Sequence, residues 1–194
     1  MDERIVPEMS LPTKPCPHPE KWHAYDDMAT ELEVLEFIRV LVLMLKPEMC
    51  IETGCYKGHG TEAIARGLEG CGHILTCDLG HENVVATKTR MRELDYEYAE
   101  VLQMSGVALI NAAPLMIDFA FLDSGMDTPR IDELRALYPK LSPGGVVAIH
   151  DTNVQFGLRE FHLGPTLREL NMQYIFLDTP RGITLCRKQP EIYP

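Results

Sequence analysis

The stretch MCIETGCYKGHG, residues 49–60, decides the fold of this chain of 194 residues. Its first four residues predict a short strand, and the glycines after them predict a tight turn into a helix over residues 61–68. Gly54 and Gly58 allow a close approach of the backbone to a ligand, and the helix presents free N–H groups. The spacing G-x-x-x-G-x-G differs from the G-x-G-x-x-G of dinucleotide-binding loops. Taken alone, the turn also fits a strand-to-helix connection that needs glycine only for its backbone.

Strands and helices alternate on both sides of this turn. The hydrophobic pattern predicts helices within residues 30–45, 61–68, 83–94, 107–111, 132–141 and 158–170, the last broken near Gly164-Pro165. It predicts further strands at residues 73–78, 98–103, 117–122 and 146–149, and a terminal hairpin at 174–177 and 182–186. Such alternation is typical of right-handed crossovers. We therefore predict a Rossmann-like, doubly wound α/β fold with a mostly parallel seven-stranded sheet and an antiparallel C-terminal hairpin.

Composition and charge limit the classes of function. The chain has 18 Lys+Arg against 29 Asp+Glu, a net charge of −11. This excess argues against gripping nucleic-acid phosphates and against docking on an anionic membrane surface. The sequence shows no signal peptide, no apolar run that would cross a bilayer, and no C-x-x-C pair among its six cysteines. We expect a reduced, cytoplasmic protein whose partner is a small molecule or another protein.

The first residues are rich in proline. Five prolines within residues 1–19 exclude a helix or a central strand, so residues 1–27 are predicted to form an arm and residues 28–194 the folded domain. The arm is expected either to close over the site or to reach a second subunit of a homodimer. Cys16, His18 and His23 lie within it, but a fourth ligand is missing, which favours scattered polar residues over a metal site.

Polar residues follow the second, fourth and fifth strands. In a doubly wound sheet, ligands bind beyond the carboxyl ends of the strands. Asp78 follows the second strand, 20 positions after Gly58, where a carboxylate can accept hydrogen bonds from both ribose hydroxyls. Its alternative role is to cap the next helix. Asp123, His150 and Asp151 are predicted to meet at adjacent strand ends and to share a divalent cation or a substrate hydroxyl. The alternative is that Asp151 caps a segment and His150 packs with one hydrogen bond.

In this order, these motifs resemble class I S-adenosylmethionine-dependent methyltransferases. The resemblance depends on the loop of residues 52–58, on Asp78, on Asp123 after the fourth strand, and on residues 141–146, LSPGGV. Tyr56, together with residues 30 and 31, resembles small-molecule O-methyltransferases of the catechol and caffeoyl-CoA type. The pair at residues 150 and 151 is more similar to antibiotic- and sugar-modifying O-methyltransferases.

The resemblance implies methyl transfer from S-adenosylmethionine to a hydroxyl of a small-molecule acceptor. The loop would hold the methionine part of the cofactor, Asp78 the ribose, and Ser105 would lie near the adenine. For the acceptor, it implies either a Mg²⁺-type ion on Asp123, His150 and Asp151, or His150 as a general base without metal. The expected cofactor-binding residues are Glu52, Gly54, Tyr56, Gly58, Thr61, Asp78, Leu79, Ser105 and Asp123.

The acceptor side is less defined by sequence. Met126 stands where the catechol enzymes place a lysine base. An acceptor pocket is expected from Trp22, Met126, Phe156, Phe161 and His162, which equally suit a core or a dimer contact.

Three other functions stay open at this point. A nicotinamide-dependent oxidoreductase would need the G-x-G-x-x-G turn, which is absent. A catalytically silent methyltransferase-like protein would bind the nucleoside without turnover. An N-methyltransferase would act on an amine, which needs no metal.

Overall fold

The structure, a computed structural model, describes residues 16–125, 129–153 and 159–189. Its helices and strands alternate along the chain as the hydrophobic pattern predicts. The helices are α1 (Leu32–Leu45), α2 (His59–Leu68), α3 (His81–Glu93), α4 (Gly106–Ala112), α5 (Pro129–Leu137) and α6 (Gly164–Glu169). The strands are β1 (Met49–Thr53), β2 (His73–Asp78), β3 (Ala99–Gln103), β4 (Ile117–Leu122), β5 (Leu141–His150), β6 (Gln173–Leu177) and β7 (Ile183–Arg187).

The seven strands form one sheet in the order β3-β2-β1-β4-β5-β7-β6. Strands β1 to β5 run parallel, and β7 lies antiparallel between β5 and β6. The predicted fold class is therefore confirmed. The strand order reverses between β1 and β4, so the carboxyl ends of these two strands form the edge where a doubly wound sheet binds its ligand.

Side chains that alternate along the central strands divide the core into two layers. Cys50, Phe119 and Phe121 face α1 and α2, whereas Ile51 and Leu122 face the side covered by α4, α5 and α6. All five side chains are buried. Because both faces of these strands are covered, their sequences are continuous apolar runs.

Several boundaries differ from the prediction, among them those of α2, β5 and α6. Helix α2 begins at His59, two residues early, although Gly60 is a poor helix former. Strand β5 begins at Leu141, because the segment around Gly144 continues the strand through a shift of register rather than ending in a turn. Pro165 lies in the first turn of α6, where its missing N–H costs no hydrogen bond.

The described part of the N-terminal segment packs against the domain. Pro19–Lys21 form a short 3₁₀ turn, and Trp22 and Tyr25 lie against the core layer beneath α1 and α2. The Tyr25 ring stacks on His59 with centroids 4.1 Å apart. The division at residue 28 stays a prediction. Among the residues that the structure describes, no helix is long and apolar enough to cross a membrane.

Candidate active site

Two cavities of about 200 Å³ each lie beyond the carboxyl ends of β1, β2 and β4. They share Gly54, Asp78 and Gly125 in their walls, so they are two halves of one crevice. The first half extends towards β5 and is also lined by Glu52, Tyr56, Asp123, Arg130, Asp151 and Arg181. The second half extends towards α4 and is also lined by Leu79, Met104, Ser105 and Gly106.

The loop between β1 and α2 forms the floor between the two halves. Gly54 has a φ of +80°, and a Cβ atom there would collide with the backbone of Asp123. The N–H groups of Gly54 and Cys55 both donate to the carbonyl of Cys77 on β2, at 2.8 and 3.0 Å. Gly58, with a φ of +82°, is the N-cap residue of α2. Glycine at residue 54 thus lets the loop lie directly against the loop after β4.

Asp78 holds this loop in place. One oxygen of its carboxylate accepts a hydrogen bond from the Tyr56 N–H at 3.0 Å. The other accepts from the Gly80 N–H at 2.7 Å and from the Asn83 amide at 3.0 Å. The carboxylate is half-buried at the junction of the two cavities. Asp78 thereby bonds the residues at the start of α3 and also faces the crevice. The predicted contact of Asp78 with ribose hydroxyls stays a prediction.

Glu52 is a buried acid in the wall of the first cavity. Its carboxylate accepts hydrogen bonds from the hydroxyl of Thr76, at 2.6 Å, and from the hydroxyl of Thr61. Burial raises the pKa of Glu52 to about 7, although the two hydroxyls oppose the shift. Thr61 thus contacts Glu52 with its hydroxyl. Neither Thr61 nor Gly58 lines either half of the crevice.

The second cavity contains two of the predicted residues. Leu79 is 73% exposed at its rim. Ser105 is the N-cap residue of α4, where its hydroxyl accepts from the Ala108 N–H at 3.3 Å. An apolar rim beside free helix N–H groups can contact a flat ring and its polar edge.

The structure brings Asp123, His150 and Asp151 together, as their places after β4 and β5 predict. Candidate ligand atoms of the three residues lie within 4.8 Å of one another. Asp151 has a φ of +56°, a backbone conformation that aspartate tolerates better than most residues. The predicted grouping is confirmed. It does not by itself test whether a metal binds there.

Two arginines occupy the carboxylate of Asp151. Arg181 donates to both of its oxygens, at 2.6 Å from Nε and 2.8 Å from Nη2. Arg130 donates from Nη2 to one of them at 2.9 Å and lies 3.9 Å from Asp123. Neither arginine belongs to any motif that the sequence displays. Both line the first cavity.

His150 is fully buried between carboxylates. Its Nδ1 lies 3.0 Å from Asp123 and its Nε2 lies 2.6 Å from Glu31, a buried residue at the start of α1. Burial alone would lower the pKa of His150, but Asp123, Asp151 and Glu31 raise it to about 10. At neutral pH the ring is an imidazolium with both N–H groups donated. An imidazolium has no lone pair to offer a metal or a proton, so either predicted role would require His150 to lose a proton first, and both roles stay predictions.

The residues present do not fit a divalent metal in this arrangement. The carboxylates of Glu31, Asp123 and Asp151 face three cations of the protein, namely His150, Arg130 and Arg181. The remaining oxygen of Asp123 accepts from the hydroxyl of Thr30 at 2.8 Å. Every carboxylate oxygen that faces the group is thus already bonded.

The predicted acceptor pocket is not assembled by the described residues. Trp22 packs on the core, while Phe161 is 73% exposed and His162 is exposed. None of these three lines either cavity. Met126 and Phe156 lie outside the described residues. Residues 28–30 and Arg181 instead line the first cavity together with Asp123.

Comparison with known proteins identifies this architecture. A family model described as "Methyltransferase domain" matches residues 51–152, which is more than half of the chain. Caffeoyl-CoA O-methyltransferase of Pinus taeda is 22% identical over 159 residues, which is 78% of this chain and 61% of that protein. The chain thus spans about three fifths of the length of this curated relative.

Two solved structures share the fold. The O-methyltransferase TomG of Streptomyces achromogenes, in complex with S-adenosylmethionine, has a TM-score of 0.73 at 14% identity, covering 84% of this chain and 82% of that one. The Podospora anserina methyltransferase PaMTH1, bound to S-adenosylhomocysteine, has a TM-score of 0.71 at 15% identity, covering 84% and 81%. At these identities the likeness concerns the fold alone.

Proposed function

The chain belongs to the family of methyltransferase domains, and we propose that it transfers a methyl group from S-adenosylmethionine to a hydroxyl group of a small molecule. The observation that carries this proposal is the crevice of two joined cavities with Asp78 at the junction. Its position at the reversal of strand order, beyond the carboxyl ends of β1 and β4, is the usual ligand position of this architecture. Two of the three relatives named above, the Pinus taeda protein and TomG, are O-methyltransferases, which favours oxygen as the acceptor.

The two halves of the crevice suit the two halves of the cofactor. The adenosine part fits the second cavity, with Leu79 and Ser105 beside the base and Asp78 at the ribose hydroxyls. The methionine part fits the first cavity, along the floor formed by Gly54 and Tyr56. Glu52, Gly58 and Thr61 then shape this floor from beneath, because Thr61 holds Glu52 and Gly58 begins α2.

The acceptor approaches from the side of Asp123. Burial alone would raise the pKa of Asp123, but His150 and Arg130 lower it to about 2, so the carboxylate is ionised at neutral pH. A negative charge there stabilises the cationic sulfonium of the cofactor. Transfer breaks the sulfur–methyl bond, leaving its electron pair on sulfur, and forms the oxygen–methyl bond, while the hydroxyl proton of the acceptor leaves to solvent. Holding the two partners in line supplies much of the rate.

Isothermal titration calorimetry of S-adenosylmethionine into the wild-type protein tests the cofactor. Asp78→Asn is expected to weaken binding about 10- to 100-fold, because charge-assisted hydrogen bonds contribute about 1.5–3 kcal/mol. Asp132→Asn is the matched control, since Asp132 is exposed on α5 and away from both cavities. A folded protein that fails to bind S-adenosylmethionine, or that binds NADH instead, would contradict the proposal.

A panel of acceptors then tests the reaction with radiolabelled cofactor. Phenols and sugar hydroxyls are expected to accept label, whereas matched amines are not. Label on amines alone would favour the N-methyltransferase alternative. Cofactor binding without transfer to either class would favour the catalytically silent alternative.

A further inference from the structure

We infer that this site works without a divalent metal, because the guanidinium groups of Arg130 and Arg181 hold the carboxylate that a cation would need. The inference rests on the proposed function and deepens it. It concerns the charged side chains at the end of the crevice where the acceptor approaches. It depends on the contacts of Asp151, Asp123 and the two arginines.

Asp151 is already saturated by fixed cations. Arg181 binds it through two parallel N–H donors, the bidentate geometry that gives strong and directional pairing. Arg130, which lies in α5, binds one of the same two oxygens. A metal ion would have to compete with at least one of these guanidinium groups for either oxygen.

Displacing Arg130 would be costly. Its residue is only 2% exposed, and its described anionic partners are Asp151 and, more distantly, Asp123. Removing one partner from a buried ion pair costs about 3–5 kcal/mol, because the other charge is left buried and uncompensated. A metal that took Asp151 would therefore pay this cost in addition to its own dehydration.

The charges of the two arginines point the same way. Arg130 and Arg181 already offset the charges of Asp123 and Asp151. A divalent cation would add further positive charge to a buried group that these guanidinium groups already balance, beside a cationic sulfonium.

Arg181 also contacts the N-terminal segment. Its backbone N–H donates to Glu31 at 2.8 Å, and its Nη1 donates to the carbonyls of Met28 and Ala29, each at 3.3 Å. These two carbonyls belong to the wall of the first cavity. Arg181 is therefore a positioning residue that ties the N-terminal wall of the cavity to Asp151.

The direct test measures Mn²⁺ binding to the wild-type protein. The readout is the loss of the free-ion signal in electron paramagnetic resonance. We expect no binding tighter than about 1 mM, and an unchanged S-adenosylmethionine affinity in Mg²⁺ and in EDTA. Tight Mn²⁺ binding that Asp151→Asn abolishes would overturn the inference.

Removing the guanidinium should create the metal site. Arg181→Gln is expected to bind Mn²⁺ at least about tenfold more tightly than wild type, because it frees one oxygen of Asp151 and leaves only Arg130 on the other. Arg181→Lys keeps a positive charge there and is expected to behave as wild type. Arg187→Gln is a further control, since Arg187 lies at the end of β7 and lines neither cavity.

The outcomes separate this inference from the proposed function. A folded Arg181→Gln that binds no more Mn²⁺ than wild type would overturn the role given to the guanidinium. Should that variant not fold, the wild-type measurement still decides. Failure of the wild-type protein to bind S-adenosylmethionine would contradict the proposed function and leave the Mn²⁺ result readable, because Mn²⁺ binding is measured without cofactor.

Discussion

The carboxylate of Glu31 lies where a charge is costly unless it is paired. Its residue is fully buried at the start of α1, and one of its oxygens lies 2.6 Å from Nε2 of His150. The other oxygen accepts from the backbone N–H of Arg181. Burial alone would raise the pKa of Glu31, but the charge of His150 lowers it below its usual range. Glu31 and His150 therefore stabilise each other only as an ionised pair.

Neutralising Glu31 should destabilise the whole fold. Glu31→Gln leaves the imidazolium of His150 with less compensation, so we expect the free energy of unfolding to fall by about 3 kcal/mol. Urea denaturation at neutral pH measures this change. The control is Glu36→Gln, because Glu36 pairs with Arg39 on the surface and such pairs contribute about 0–1 kcal/mol. Equal losses in the two variants would refute the buried pair.

Glu52 predicts a dependence of stability on pH. The pKa of this buried acid is raised from 4.5 to about 7, so the folded state binds its proton more tightly than the unfolded state. Its stabilising effect is complete below pH 4.5 and is lost as the pH rises through 7, a change of about 3 kcal/mol.

Glu52→Gln should remove this dependence of stability on pH. The measurement compares the free energy of unfolding of wild type and of Glu52→Gln from pH 4 to pH 8, and the slope of each profile reports the dependence. Glu48→Gln, at an exposed position just before β1, should leave the slope of the wild-type profile unchanged. If the profiles of wild type and Glu52→Gln run parallel, Glu52 does not carry the raised pKa.

At the scale of elements, the loop between β1 and α2 depends on glycine at residue 54. Gly54→Ala would place its Cβ against the backbone of Asp123 in addition to straining a φ of +80°. Gly70 has nearly the same φ, +82°, and a Cβ there would meet no atom within 4 Å. Gly70→Ala therefore measures the conformational cost alone, about 1–2 kcal/mol.

We expect Gly54→Ala to lose more stability than Gly70→Ala and also to lose S-adenosylmethionine binding, which Gly70→Ala keeps. Thermal unfolding and calorimetric titration of the two variants check this difference. Equal losses of stability with retained binding would mean that the loop adjusts to the methyl group and that close approach is not required.

The elements themselves were largely predictable from sequence, for reasons that differ between strands. Strands β2 and β4 have the bounds that their patterns predict, because each ends at a clear break in hydrophobicity. Strand β5 is longer than predicted, because Pro143 and two glycines are typical of a turn but here continue the strand through a change of register. Local composition cannot distinguish these two outcomes.

At the scale of the whole molecule, the site combines residues that no local pattern links. Asp123 and His150 follow strands, so the topology of the sheet predicts their meeting. Glu31 contacts His150 across 119 positions and Arg181 across 150. Arg130 and Arg181 lie in a helix and in a loop without motifs. Their partners could therefore be found only from the packed structure, and no sequence pattern indicated that two guanidinium groups lie beside the predicted metal ligands.

The N-terminal segment supports the crevice from outside the sheet. Asp26 accepts hydrogen bonds from Lys57 at 2.7 Å and from the Tyr56 hydroxyl at 3.3 Å, and Tyr25 stacks on His59. These contacts fix the loop between β1 and α2 from outside the sheet. A segment that only extended away from the domain would leave this loop unsupported.

The double variant Tyr25→Ala/Asp26→Ala should therefore weaken S-adenosylmethionine binding about 3- to 30-fold, because a partly exposed ion pair and an aromatic contact together contribute about 0.7–2 kcal/mol. His18→Ala/Glu20→Ala removes an exposed pair from the same segment and is expected to leave affinity unchanged. Calorimetry on the full chain compares the two. Unchanged affinity in the first variant would show that the loop holds its shape without the segment, and that residues 16–27 serve a purpose other than completing the cofactor site.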